Sequence, residues 1–105
     1  MKSKLELLKV DRQKDFNLID INIQENSFIR IFDMSIPSDK FEWHRDKNKR
    51  IVKVLYTDES WKFQHDNCLP FTLKNDDILE IEKEAYHKLH KGKGLLVIHV
   101  REFKE

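Results

Sequence analysis

Cysteine, glycine and proline are all scarce in this chain, at one, two and two of 105 residues. The lone Cys68 excludes an internal disulfide framework and fits a reducing, cytoplasmic setting. Its neighbours Asn67 and Leu69 supply no activating base, which favours a structural thiol over a nucleophile. With only Gly92 and Gly94 there is no glycine-rich phosphate loop, and neither a Ser-His-Asp arrangement nor a CxxC pair is present. No apolar run approaches the roughly 20 residues of a membrane span, and residues 1–9 are too short and too charged for a signal peptide. A dominant charge is missing as well. Twenty Lys and Arg stand against 19 Asp and Glu, a net charge of +1, so no global field selects nucleic acid or an anionic membrane. The basic run at 47–50 and the Lys88, Lys91, Lys93 cluster are interspersed with acids and read as solvated loops.

What the chain has instead is short-range alternation. Residues 1–105 read as one domain, long enough to bury a core, in which apolar residues recur at period two between polar turns; this predicts an all-β fold. Strands are expected over 16–23, 28–36, 41–46, 51–56, 61–66, 71–73, 78–81, 86–89 and 95–100. Residues 5–8 lean to strand, 11–15 read as a polar connection, 37–40 as a turn and 91–94 as a flexible hairpin. Phe32, Val52, Val54, Leu79, Ile81 and Leu89 are the expected core. Residues 28–36 carry apolar groups on both faces, which predicts cover on the outer face by a second copy, a homodimer. Trp43, Tyr56, Trp61 and Tyr86 read as barrel filling rather than as a stacking platform.

The chemistry centres on Glu42-Trp43-His44-Arg45-Asp46. In a strand, His44 and Asp46 turn to the same face. His87, in Tyr86-His87-Lys88-Leu89, is the candidate third ligand, because two histidines and one carboxylate on one side of a divalent ion leave positions open for substrate or O₂. Fe(II) heads the candidates, with Zn, Mn and Ni as substitutes. The competing reading is a polar interior in which Asp46 hydrogen-bonds a histidine. Two readings of Arg50 also stand. Turned inward, its guanidinium suits a bidentate anion; otherwise it reaches solvent, or pairs with Asp46 and leaves no metal. Gln64, His65 and Tyr56 are further candidates for ligand contact. His90 reads as solvated, and His99 can face either way.

Residues 28–100 resemble the cupin superfamily of small, RmlC-like double-stranded β-helix barrels. The first cupin motif runs glycine, five residues, His-x-His, three or four residues, Glu, six residues, glycine; Ser38, His44, Asp46, Arg50 and Thr57 fall on those positions, with Val54-Leu55 where the family usually has Val-Leu. In the second motif Asp76, Glu82, Glu84, His87 and Lys91 fall where the pattern has Gly, Pro, Gly, His and Asn. Asp77 matches the aspartate that commonly follows the first glycine. Every motif glycine is replaced, Asp46 stands for the second His and Arg50 for the Glu. His-x-Asp with a distant His is also similar to the iron triad of the 2-oxoglutarate-dependent oxygenases, whose basic cosubstrate residue has a loose counterpart in Arg101. The resemblance implies a small antiparallel β-barrel or jelly roll with a metal at His44, Asp46 and His87. For the very small cupins it implies no particular reaction, so enzyme and non-catalytic binder stand level. A small anionic molecule is the expected ligand, with carboxylic acids, 2-oxo acids among them, ahead of phosphorylated sugars.

Overall fold

Period-two alternation becomes nine antiparallel strands in the computed structural model, which describes residues 9–12, 19–37 and 41–104, without the side chains of 9–12. They are β1 (Lys9–Arg12), β2 (Ile19–Gln24), β3 (Ser27–Phe32), β4 (Lys49–Thr57), β5 (Lys62–His65), β6 (Phe71–Thr72), β7 (Ile78–Ile81), β8 (His87–His90) and β9 (Leu96–Phe103). Six form one sheet in the order β1-β2-β3-β9-β4-β7 and three a smaller sheet, β6-β5-β8. Among the described residues there is no helix, hence none long and apolar enough to cross a membrane.

The larger sheet turns alternate residues inward. Val52 and Val54 of β4, Leu96 and Val100 of β9, Phe28 and Phe32 of β3, and Leu79 and Ile81 of β7 are all buried, and Leu89 packs against them half-buried. From the smaller sheet's side Trp61 and Phe63 close the core. Trp61 is fully buried against Phe32 and Phe41, with ring centroids 5.8 and 5.6 Å away. Its indole N–H would be costly to bury unpaired, and it donates to the Gly94 carbonyl at 3.1 Å. Trp61 thus fills the barrel as expected, whereas Trp43, Tyr56 and Tyr86 are exposed.

Several boundaries differ from the sequence reading, each for a local reason. β3 stops at Phe32 because Asp33 accepts the Ser35 N–H at 2.7 Å and turns the chain, tucking Ile36 into the core. β4 begins at Lys49, so Lys49 and Arg50 are ladder residues paired with Phe103 and Glu102 rather than a solvated link. A register shift between Val54 and Tyr56 leaves both Leu55 and Tyr56 facing out. β1 occupies part of the expected polar connection, while residues 5–8, 16–18 and 38–40 lie outside the described residues. The loop at 91–94 is packed rather than flexible: Gly92 is buried, and a Cβ there would overlap Ser60 Oγ and Trp61 Cδ1.

Two turns explain how a barrel with this motif spacing does without its glycines. Asp76 and Glu84 have φ of 70° and 60°, the left-handed region that ordinarily favours glycine. The backbone conformation is present at these positions without the residue that adopts it most cheaply.

Candidate metal centre

Residues 41–46 do not form a strand. His44 sits on a loop tied to the first residue of β8 by one isolated antiparallel bridge, in which His44 N–H donates to the His87 carbonyl at 3.0 Å and His87 N–H to the His44 carbonyl at 2.9 Å. That bridge brings together two residues far apart in sequence, with ring centroids 4.2 Å apart and edge to face. Asp46 follows on the same loop, its carbonyl accepting the Glu84 N–H at 2.7 Å. His44 is exposed, Asp46 half-buried and His87 buried, and one ligand atom from each lies within 4.8 Å of the other two. Ligands of one ion at bond lengths near 2.1 Å stand roughly 3–4 Å apart. His87 Nε2 and Asp46 Oδ2 already stand 3.3 Å apart, so the difference falls to the exposed His44.

Both rings are held in the same way. His44 Nδ1 lies 3.0 Å from the Glu42 carbonyl and His87 Nδ1 3.0 Å from the Ala85 carbonyl, two residues back in each case. A carbonyl only accepts, so each Nδ1 carries the proton and, in the neutral ring, each Nε2 is left as a lone pair. This is the orientation metal-binding histidines take, with the far nitrogen fixed by a backbone acceptor.

Opposite them, Asp46 Oδ2 is buried and accepts no hydrogen bond. His87 Nε2 stands 3.3 Å away and Arg50 Nη1 3.4 Å away. Burial pushes the Asp46 carboxyl up, but the His87 ring and the Arg50 guanidinium, with His44 behind them, outweigh it and hold the group below its usual 3.8. Asp46 is therefore an anion at neutral pH. With Nδ1 holding the ring's proton, the Nε2 lone pair of a neutral His87 would meet the ionised Asp46 as a second acceptor, which a proton or a metal ion between them would relieve. The donor set fits a divalent ion.

Arg50 is turned inward, on the same face of β4 as Val52 and Val54, and it also pairs with Asp46 at 3.4 Å, so the two sequence readings are each met in part. It sits between Asp46 and Glu102, whose Oε1 accepts from Nη2 at 3.4 Å, while its Nε is buried and unpartnered. Above it lies a cavity of about 350 Å³. Phe32, Phe63, Leu79 and Leu96 are among its apolar walls, and Arg30, Arg50, His44, His87 and Glu42 bring its polar groups. Arg30 is already committed, bidentate to Asp20 at 2.7 and 2.8 Å. The two guanidinium groups flank the Phe28 ring, 5.0 and 5.9 Å from its centroid, and divide the cavity from a polar cleft that includes Asp20, Asn26, Glu102 and Lys104.

The remaining candidates lie outside the cavity lining. Tyr56 is on the outer face beyond the β4 bulge. Gln64 donates to the Cys68 carbonyl at 2.9 Å and pairs through Oε1 with His90 Nε2 at 2.9 Å, so His90 is half-buried rather than solvated. His65 stacks on Phe71, centroids 6.2 Å apart. Arg101 faces outward over Phe103. His99 takes the outer face too, its Nε2 2.7 Å from Ser27 Oγ. Glu102 is the residue the sequence reading missed. Ending the last strand at Val100 hid it, though continued alternation from Ile98 and Val100 points it inward.

An all-β barrel of two antiparallel sheets, with His-x-Asp on a loop and a facing histidine, defines a cupin-like double-stranded β-helix. No family model matches the chain, and no curated protein matches it in sequence. Solved structures do. Hydroxypropylphosphonic acid epoxidase from S. wedmorenis superposes with a TM-score of 0.68 at 12% identity, over 98% of this chain and 58% of that one. DMSP lyase DddQ from Ruegeria pomeroyi gives 0.61 at 12%, over 75% of this chain and 38% of that one. The Drosophila melanogaster CENP-C cupin domain gives 0.62 at 11%, over 91% and 75%. The chain spans less than two thirds of the length of both enzymes, and at these identities the likeness is one of fold.

Proposed function

We propose that this chain is a metal-binding cupin-like protein that binds or acts on a small anionic molecule, with one divalent ion held by His44, Asp46 and His87. The observation that carries the reading is the approach of His87 Nε2 to 3.3 Å from the buried Asp46 Oδ2, which accepts no hydrogen bond and is paired only by charge with Arg50, backed by the carbonyl clamps on both Nδ1 atoms. Fe(II) is the first candidate, since a set of two histidines and one carboxylate leaves coordination positions open, and one matched structure is an Fe(II) form of HppE, at 9% identity. Zn, Mn and Ni suit the same donors. When bound, the ion supplies a Lewis acid or an O₂-binding centre. The chain's own residues orient: the Glu42 and Ala85 carbonyls fix the rings, Arg50 holds Asp46 ionised and presents a donor to an anion, and the apolar walls exclude water. We place the protein in the cytoplasm, in keeping with its exposed free Cys68.

The test is metal analysis of protein purified without added metal, followed by calorimetric titration with Zn²⁺ and anaerobic Fe²⁺. Stoichiometric binding lost in His87→Ala supports the reading, and equal uptake by both proteins removes it.

A second reading is a non-catalytic, dimerising cupin. The outer face of the large sheet favours it, since Ile21, Ile29, Ile31 and Val97 stand there only half-buried, and a second copy would cover them. Light scattering at micromolar concentration separates a dimer from a monomer.

A further inference from the structure

The cavity above Arg50 narrows the ligand further than its negative charge alone. We propose that the ligand is a monocarboxylic acid with an apolar body, its carboxylate taken by Arg50 Nε beside the metal position and its hydrocarbon part lying among Phe32, Phe63, Leu79 and Leu96. This assignment rests on the metal site proposed above.

Charge selects a single negative group. Arg30 and Asp20 cancel one another in a bidentate pair. Arg50 faces two carboxylates, Asp46 and Glu102, each at 3.4 Å, so with neutral histidines this cluster carries one negative charge in excess. A divalent ion on His44, Asp46 and His87 turns that into one positive charge in excess, which one carboxylate balances and a phosphate monoester or a dicarboxylate overshoots. The exposed Glu42 at the cavity lining adds to the penalty for a second negative charge.

Hydrogen bonding selects the headgroup's partner. Arg50 lines the cavity and its Nε is a buried donor without a partner, a deficit that a carboxylate oxygen in the cavity would make good once a turn of the guanidinium brings that donor to the wall. Volume and lining select the body. About 350 Å³ lies at the small end of the roughly 300–1,000 Å³ of ligand pockets, and beyond the polar cluster the walls are aliphatic and aromatic. A sugar would leave its hydroxyls unpaired against them, at a cost that excludes tight binding.

The experiment is calorimetric titration of the full, zinc-loaded chain with acetate, butanoate, hexanoate and benzoate, against hexan-1-ol, 2-oxoglutarate and glucose 6-phosphate. Affinity should rise about three- to fourfold for each added methylene until the cavity fills, hexan-1-ol should bind at least tenfold more weakly than hexanoate, and both dianions should fall below hexanoate. Arg50→Lys keeps the charge but removes the Nε donor, and should weaken hexanoate at least tenfold with the β spectrum unchanged. Ile98→Phe fills the cavity and should cut the series off at a shorter acid, even if the arginine variant folds poorly. A flat series, a tighter dianion, or a folded Arg50→Lys that binds hexanoate like wild type overturns the proposal. Zinc uptake, measured first, is read separately. Uptake with a flat acid series removes the ligand class and leaves the metal site; protein that takes up no zinc removes the metal site and, with it, the charge balance that selects a monocarboxylate.

Discussion

The two sheets contribute to the site in opposite ways. The six-stranded sheet supplies Arg30, Arg50 and Glu102 from the regular alternation of β3, β4 and β9, on the same face as Val52 and Val100. The three-stranded sheet supplies His87 from a strand end, and through one bridge it holds the loop that carries His44 and Asp46. The charged groups are fixed by many ladder hydrogen bonds and the metal ligands by few. Such a division lets the ligand loop adjust around an ion while the electrostatic frame stays in place.

The largest expected effect strikes the joint between the sheets. Trp61→Ala should lower unfolding free energy by about 3–5 kcal/mol and take the metal site with it, since Trp61 joins the β5 side to Phe32 and Phe41; chemical denaturation measures this. Loss of metal with stability intact would mean that the smaller sheet depends on other contacts.

Next, His87→Ala should reduce metal affinity by more than about 100-fold, beyond the tenfold to 100-fold typical of losing an outer-shell partner. Arg50→Lys should change it only a few-fold, because the arginine belongs to the frame and not to the ligand set. Equal losses in the two variants would erase the distinction between the sheets. Gly92→Ala then probes the packing beside Trp61, and its forced overlap should cost about 1–3 kcal/mol in thermal unfolding.

On the outer face of the large sheet, burial first, then Arg101 and Lys53, pull His99 below its ordinary value of 6.5, and His90 on the small sheet is lowered by burial, Lys88 and Lys62. Below that value the unfolded chain binds more protons than the folded one, so stability is full above about pH 6.5 and declines as pH falls beneath it. Denaturation midpoints from pH 7.5 to 5 should show the decline, and His99→Gln should remove its share. The smallest effect has the opposite sign. Glu84→Gly relieves a left-handed φ of 60° and should raise stability by up to about 1 kcal/mol.

Alternation made the all-β class and the residues Phe32, Val52, Val54, Leu79, Ile81 and Leu89 legible, because burial on one face of a strand writes itself into period two. The trio His44, Asp46 and His87 was legible from residue type and motif spacing, although the strand expected to align the first two is a loop. Other features had no such signature. The bulge that turns Tyr56 outward depends on pairing with β9, and the carbonyl clamps on the two rings depend on backbone direction rather than residue identity. The turns at 75–76 and 83–84 were legible as polar runs, but the left-handed backbone that Asp76 and Glu84 adopt in them was not. A pattern that looks for glycine passes over chains that keep the conformation and change the side chain.

The isolated bridge between His44 and His87 also offers a clock. Its two amide protons join residues far apart in sequence, with the Glu84–Asp46 hydrogen bond as their one neighbour among the described residues if the loop lifts. Their exchange with deuterated solvent therefore reports how often the site opens. An ion joining the same two residues ties the loop down, and both amides should slow together, in proportion to free metal over its dissociation constant, while those at the centre of β9, which exchange only when the whole barrel unfolds, remain the slowest in either state.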